Sequence, residues 1–422
     1  MVRKNCREPL PARLPEANRA LARPLICVML LSKAAHSDTR VLAEARVLEQ
    51  AGWKVVILSW DREKRFPADV REGRVHILDL GHAAAHGAGA AQIRSYFSFW
   101  RRCLFWLLRH DHDVVHCHDF DTVPAGWLAA RLRRRKVVFD GHEPYGEAFA
   151  PALPGPVASG ILWLERRLTP RIDVLVSPSP SCAAYYIDRG APRHVIFENY
   201  KDPGEFDFAP ERLAARRRAL GLEGKLVLAH AGLLDHHVCL DRIVEAVSTL
   251  PGVVFVAAGS GRLAPWMAEQ ARLHDSVRYL GQLPAEEARE LIALSDCVNC
   301  LVQVAPEIRV YGTASNKLFD ALAAGRAVLC CQASSEIARV TEEYQCGVCL
   351  GEDFTVEELR QALLHLRDQP DRRAGYGANA RRACFEKYNR TAAGASLLRA
   401  YGWCAPEFHV ESAIPAARVS TG

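Results

Sequence analysis

The sequence predicts an α/β protein of two domains, each built on a parallel sheet, and three observations carry that prediction. Short apolar runs alternate with amphipathic stretches along most of the chain, an order that produces βαβ units. The runs are of strand length and almost continuously apolar, as strands covered on both faces require. Finally, 422 residues at 49% hydrophobic composition can bury more than one core.

Taken in order, residues 1–24 are rich in Arg, Pro and Ala, show no period, and are expected to form a loose extension. LICVMLL, residues 25–31, reads as a buried strand. The loop SKAAHSD, a helix TRVLAEARVLEQAGW ending near Gly52 and the strand KVVILSW complete a βαβ unit. Asp38 and Arg40 sit at the opening of that helix. No glycine occurs in SKAAHSDTR, which argues against the phosphate turn of an NAD or FAD domain. Residues 94–110, RSYFSFWRRCLFWLLRH, place aromatic and aliphatic side chains at helical spacing beside Arg94, Arg101, Arg102 and Arg109. Two readings stay open there: a core-facing helix with a basic outer face, or a helix lying in an anionic membrane interface.

The stretch from Asp113 to Glu147 is a further strand, helix, strand succession. His116 and His118 share one strand face, and Asp119 and Asp121 follow at the carboxyl end, where open parallel sheets bind ligands. His142 and Glu143 follow the strand KVVFD in the same way. A neutral imidazole there can hydrogen-bond a ligand hydroxyl, and a carboxylate can take two. RIDVLVSPSPSCAAYY adds a strand and a helix start. A Pro- and Gly-containing connection near residues 199–208 marks the expected boundary between an N-terminal domain, 25–203, and a C-terminal domain, 204–384.

The second half restarts the alternation with KLVLAHAGLL, LDRIVEAVSTL and VVFVAAGSG. Gly259, Ser260 and Gly261 form a turn whose backbone N–H groups can approach a phosphate. YGTASNKLFDALAAGRAVLC, residues 311–330, packs a helix start, a carboxylate, a helix stop and a buried strand into one run. Ser315 is the expected N-cap and Gly325 the left-handed C-terminal cap. Ser315, Asn316 and Lys317 stand at the positive end of this helix, a ready anion site. Asp320, one turn in, can hold vicinal hydroxyls, and phosphate beside ribose describes a nucleotide. The alternative is a surface helix with Lys317 and Asp320 merely solvated. Residues 381–403 read as one last helical stretch.

The net charge of +5 is small for this length, so nucleic-acid binding has no general electrostatic support. Fourteen cysteines are spread through segments that read as buried, and a reduced, cytoplasmic protein is expected. Cys297 with Cys300, and Cys346 with Cys349, are spaced like half a zinc knuckle. Both pairs lie in strand-like runs, where residues three apart point to opposite faces, so no metal is expected. No apolar run approaches the ~20 residues of a membrane span.

Several of these segments resemble the retaining GT-B glycosyltransferases of family four, the glycosyl transferases group 1. DVVHCHD and VVFDGHE are similar to that family's DVVHAHD and VVYDSHE. DALAAGRAVL resembles its EAMACGLPVV, with Asp320 in the place of the second signature Glu and Gly312 in the place of the first. The resemblance runs over residues 25–403. It implies two Rossmann-like domains whose parallel sheets face an interdomain cleft, a C-terminal helix, 385–404, crossing back to the first domain, and a loose tail, 405–422.

The implied activity is transfer of a sugar from a nucleotide-diphosphate sugar to a glycan or lipid-linked acceptor, with retention, in surface polysaccharide biosynthesis. The nucleotide sugar is a substrate, and neither a cofactor nor a metal is implied. His142 and Asp320 are the implied catalytic residues, beside the reacting sugar and on the ribose. Gly259, Gly261, Arg309, Ser315, Asn316 and Lys317 take the donor, and Asp38, Arg40, His118 and Glu143 the acceptor or sugar. The Arg and Lys with which the family neutralises the diphosphate fall on Leu233 and Val238; Arg309 and Lys317 are the candidates to replace them. These departures keep two other readings in view, a degenerate GT-B binding module and a nucleotide-sugar epimerase. The expected location is cytoplasmic, with peripheral contact to an anionic inner membrane face through residues 94–110 as the membrane reading.

Overall fold

The computed structural model describes residues 23–84, 90–149, 153–303 and 316–411. They form two compact α/β units, one taking the chain up to Phe197 together with residues from Gly394 onward, the other Glu198–Ala393. The predicted fold class, two domains with parallel-dominated sheets, is what the structure has.

The first unit holds an eight-stranded sheet in the order β3-β4-β2-β1-β5-β6-β7-β8. In chain order the strands are β1 (Ile26–Leu31), β2 (Lys54–Ser59), β3 (Asp69–Glu72), β4 (Val75–Asp79), β5 (Val114–His118), β6 (Lys136–Asp140), β7 (Val174–Ser177) and β8 (His194–Ile196). All neighbours pair in parallel except β3 with β4. Residues 61–93 carry no assignment from sequence, and the β3–β4 hairpin falls there. Its two-residue turn begins at Gly73 with φ 60°, the left-handed geometry that tight hairpins need.

Helix Thr39–Gln50 is started by Asp38, whose carboxylate accepts from the backbone N–H of Arg40 and Val41. Val41, Ala45 and Leu48 form its buried stripe. Helix Ala90–Arg109 buries Phe99, Cys103 and Leu107 and exposes Phe97 and Phe105, so it is core-facing with a basic and aromatic outer side. It packs beside helix Val123–Arg133, which in turn packs on helix Gly155–Leu168.

The second unit holds a six-stranded sheet in the order β11-β10-β9-β12-β13-β14, with every pair parallel. Its strands are β9 (Leu226–Ala231), β10 (Val253–Ala258), β11 (Val277–Tyr279), β12 (Cys297–Asn299), β13 (Ala327–Cys331) and β14 (Gly347–Leu350). Alternation within β9 separates the two apolar layers: Val227 and Ala229 face one core, Leu226 and Leu228 the other. Helix Asn316–Ala324 buries Leu318, Phe319, Ala321, Leu322 and Ala323, and the Phe319 ring meets Tyr200 edge-on at 4.9 Å. Gly325 ends that helix at φ 63°, and the Arg381 guanidinium donates to the Ala323 carbonyl, a cationic cap on the negative end of the helix.

The last stretch, expected as one helix over 381–403, is two: Pro370–Glu386 and Arg390–Cys404. Asn389 makes the break. Its Nδ2 donates to the carbonyls of Cys384 and Phe385 at the end of the first helix, and its Oδ1 accepts from the N–H of Ala392 at the start of the second. The thirteen described cysteines are free.

Candidate functional site

In the first unit, a charged cluster gathers at the carboxyl ends of β1, β5 and β6. Asp140, the last residue of β6, is fully buried and is the hub. Arg40 reaches it from helix Thr39–Gln50 with a bidentate fork, Nε to Oδ2 at 2.8 Å and Nη2 to Oδ1 at 2.7 Å. A third guanidinium bond goes to the Phe197 carbonyl. His142 lies two residues past the strand and sets Nε2 at 2.7 Å from Asp140 Oδ2 and Nδ1 at 3.4 Å from Asp119 Oδ2. Lys33, after β1, pairs with Asp38 at 2.9 Å and reaches Asp119 at 3.7 Å.

Asp119 holds φ 60° and ψ 153°, a conformation that costs a non-glycine residue on the order of 1–3 kcal/mol and that collects at functional sites. Its backbone N–H donates to the Asp140 carbonyl. The strained turn therefore aims the Asp119 carboxylate at His142. Burial works against a charge on His142, but Asp140 and Asp119 outweigh it and raise its pKa to about 10. His142 is an imidazolium at neutral pH, where a neutral ring is expected from sequence. Both its nitrogens are donors, and each faces a carboxylate.

Among the acceptor candidates, Arg40 and His118 are buried. Arg40 turns its donors on Asp140 and Phe197, and His118 sets Nδ1 at 3.2 Å from Asp140 Oδ2 and 3.4 Å from His142 Nε2. These two hold the cluster from behind. Asp38 is spent on capping the helix and on Lys33. Glu143 is exposed beside His142.

Sequence reasoning missed Glu44 and Tyr401. Glu44 lies one turn after Arg40, and Tyr401, from helix Arg390–Cys404, brings its hydroxyl within 2.8 Å of His116 Nδ1. The signal for Glu44 was there: a carboxylate inside an otherwise apolar helical stripe. Donor atoms of Glu44, His116, His118 and Asp140 lie within 4.8 Å of one another, a spacing that suits a metal ion. Arg40 Nε already stands 3.3 Å from Glu44 and 2.8 Å from Asp140, so a guanidinium lies against this group.

In the second unit, polar groups gather where β9 and β12 end and helix Asn316–Ala324 begins. The Lys317 ammonium stands 4.0 Å from where a Cβ on Gly232 would lie, in the loop directly after β9. Burial lowers its pKa. His230, on β9, meets Asn299 at 3.2 Å and the Leu233 carbonyl at 3.2 Å. Burial, with Lys317 next, pushes His230 down to about 3, so it is neutral. Asp320 lies on the same side of the helix, 3.8 Å from Lys201 Nζ, and burial raises its pKa. Asn316 is exposed. Arg309, Gly312 and Ser315 lie outside the described residues.

Gly259 and Gly261 serve a purpose the sequence did not show. Both have φ near 140°, and a Cβ on Gly259 would lie 1.7 Å from the Gly232 carbonyl oxygen, one on Gly261 2.3 Å from that of Leu234. Glycine is required because two loop backbones touch. The Gly259 N–H donates to the Gly281 carbonyl, which spends it within the fold. Leu233 is 52% exposed and Val238 fully buried, so neither can carry charge to a ligand, and Lys317 brings the ammonium to this loop from the neighbouring helix.

Comparison with known proteins bears on this arrangement. A model of Glycosyltransferase Family 4 matches residues 38–197, and a model described as Glycosyl transferase-like matches residues 240–398. None of the curated proteins matches in sequence. Among solved structures, the chain is similar to Anabaena Alr3699/HepE in complex with UDP, at 13% identity and TM-score 0.67, covering 90% of this chain and 100% of that one. It is also similar to sucrose-phosphate synthase from Thermosynechococcus elongatus, at 14% identity and TM-score 0.70, covering 89% and 98%. A third likeness is to WaaG, a glycosyltransferase involved in lipopolysaccharide biosynthesis, at 15% identity and TM-score 0.63, covering 90% and 99%. A glycosyltransferase model thus matches each unit, Glycosyltransferase Family 4 on the first and Glycosyl transferase-like on the second, and over nine tenths of its length the chain has the GT-B fold.

Proposed function

We propose that the protein transfers a sugar, with retention, from a nucleoside diphosphate sugar to a hydroxyl of a glycan or lipid-linked acceptor in surface polysaccharide biosynthesis. The observation that carries this reading is Lys317 at the loop after β9. It supplies a positive charge beside the start of helix Asn316–Ala324, and that pairing suits a diphosphate. In support, Alr3699/HepE was solved with UDP and with UDP-glucose, and WaaG acts in lipopolysaccharide biosynthesis. Lys317 and the helix N-terminus, with Arg309 and Ser315, then stabilise the leaving diphosphate, and Asp320 takes the ribose. His142 serves the sugar, and Glu143 the acceptor. Rate enhancement comes from positioning and from stabilising charge on the leaving group, with no cofactor and no obligatory metal.

The outer side of the first unit suits an acceptor at a membrane. Exposed Phe97, Phe105, Leu128, Leu132 and Trp163 lie on the three adjacent helices, interspersed with exposed Arg101, Arg109, Arg131, Arg166 and Arg167. Apolar side chains among arginines match an anionic lipid surface. None of the described helices is long and apolar enough to cross a membrane.

One observation favours a second reading, a sugar-nucleotide-binding protein without turnover: the two positions where the family places cations hold exposed Leu233 and buried Val238. Incubation with a panel of UDP-, GDP- and ADP-sugars, following nucleotide release and the anomeric configuration of the product by NMR, separates the two. Turnover with retention is expected, and Lys317→Glu should lower it about a hundredfold or more, the scale of losing one donor to a developing charge. Binding without nucleotide release establishes the second reading, and an epimerised sugar nucleotide formed without acceptor refutes transfer.

A further inference from the structure

Behind the His142 cluster lies a carboxyl group with no part in the scheme above. Glu44 is fully buried, and neither of its side-chain oxygens has a hydrogen-bond partner. The Arg40 fork is spent on Asp140 and Phe197 and reaches Glu44 only through Nε, at 3.3 Å. His116 Nε2 lies 3.5 Å from Glu44 and is itself without a partner, while its Nδ1 faces Tyr401. The Asp140 carboxylate is within hydrogen-bonding reach of Glu44. A buried carboxylate with no donor is costly, whereas the neutral acid brings its own O–H.

We propose that Glu44 is a neutral carboxylic acid that donates its O–H to Asp140, which makes it a positioning residue that fixes the Asp140 carboxylate against His142. Every group facing Glu44 fits. Arg40 comes from its own helix, His116 and His118 from β5, Asp140 and His142 from β6 and its end, Tyr401 from helix Arg390–Cys404 and Cys27 from β1. Burial keeps His116 and His118 neutral and Cys27 and Tyr401 protonated. Arg40 and His142 balance Asp140 and Asp119, so a second buried carboxylate would stand uncompensated. Burial and the adjacent Asp140 accordingly raise the Glu44 pKa well above the carboxylate range. The part His142 plays with a sugar rests on the proposed function; the state of Glu44 does not.

The test uses the full chain with carboxyl-13C glutamate and 15N histidine. The Glu44 carboxyl resonance, identified by its loss in Glu44→Gln, is expected at the protonated position at pH 7. Glu44→Gln, which offers an N–H in the same shape, is expected to leave the His142 midpoint within about 0.3 pH unit. Glu44→Leu, of similar bulk and without a donor, is expected to move it by about one unit, the scale of a single neighbouring interaction. An ionised Glu44 at pH 7, or a His142 midpoint lowered by a unit or more in Glu44→Gln, overturns the proposal. If Glu44→Gln does not fold, the wild-type carboxyl titration decides alone. Neither readout involves sugar transfer, so failure here leaves the proposed activity untouched, and the reverse holds.

Discussion

The charge on His142 links the first unit's stability to pH. Its folded pKa, raised to about 10, lies above the unfolded value of about 6.5, so the native state holds one more proton between those limits. The stabilisation is fully present below pH ~6.5 and is lost as pH rises toward 10, with a slope of about −1.4 kcal/mol per unit from this group. Chemical denaturation of wild type and His142→Asn between pH 7 and 9 should show that slope in the first and its loss in the second; equal slopes would refute the assignment. The position of His142 was legible from its motif, but its charge was not. Asp119 and Asp140 flank it only because β5 and β6 pair in register, His118 beside Asp140. Lys317 was legible as a helix-start cation, while its reach to the loop at Gly232 depends on the packing of β9 against β12.

At the scale of elements, helix Asn316–Ala324 stands on its apolar face. Leu322 is fully buried there, and Leu322→Ala is expected to cost about 2–5 kcal/mol in urea unfolding. The two glycines at the edges of this region should respond differently. At Gly325 a Cβ would find its nearest neighbours at 3.4 Å, so Gly325→Ala costs mainly left-handed strain, about 1–2 kcal/mol. Gly259→Ala meets backbone at 1.7 Å and should destabilise more than Gly325→Ala; the opposite order would contradict the account of the touching loops. Most strands and helices were legible because each is a continuous apolar run or a one-sided stripe. The β3–β4 hairpin was missed because β3 is largely exposed and β4 buries only Val75 and Ile77, so neither is a continuous apolar run. The break at Asn389 was missed because one asparagine caps both helices without a proline or glycine to announce it.

For the molecule as a whole, the two α/β units were legible from the alternation alone, whereas the activity rests on a few side chains within a widely shared architecture. The membrane proposal belongs to this scale. Sedimentation with phosphatidylglycerol vesicles at low salt should carry the protein down, and Arg101→Ala with Arg131→Ala should weaken binding about tenfold or more, at roughly 1 kcal/mol per basic side chain near an anionic surface. Undiminished binding in that pair, or equal binding to neutral vesicles, would refute it. The donor claim is more central, and calorimetric titration of UDP, GDP and ADP into wild type and Lys317→Glu tests it most directly. The account predicts that one nucleoside diphosphate binds the wild type and that the charge reversal abolishes its heat. No binding by any of the three, or unchanged binding in Lys317→Glu, would contradict it.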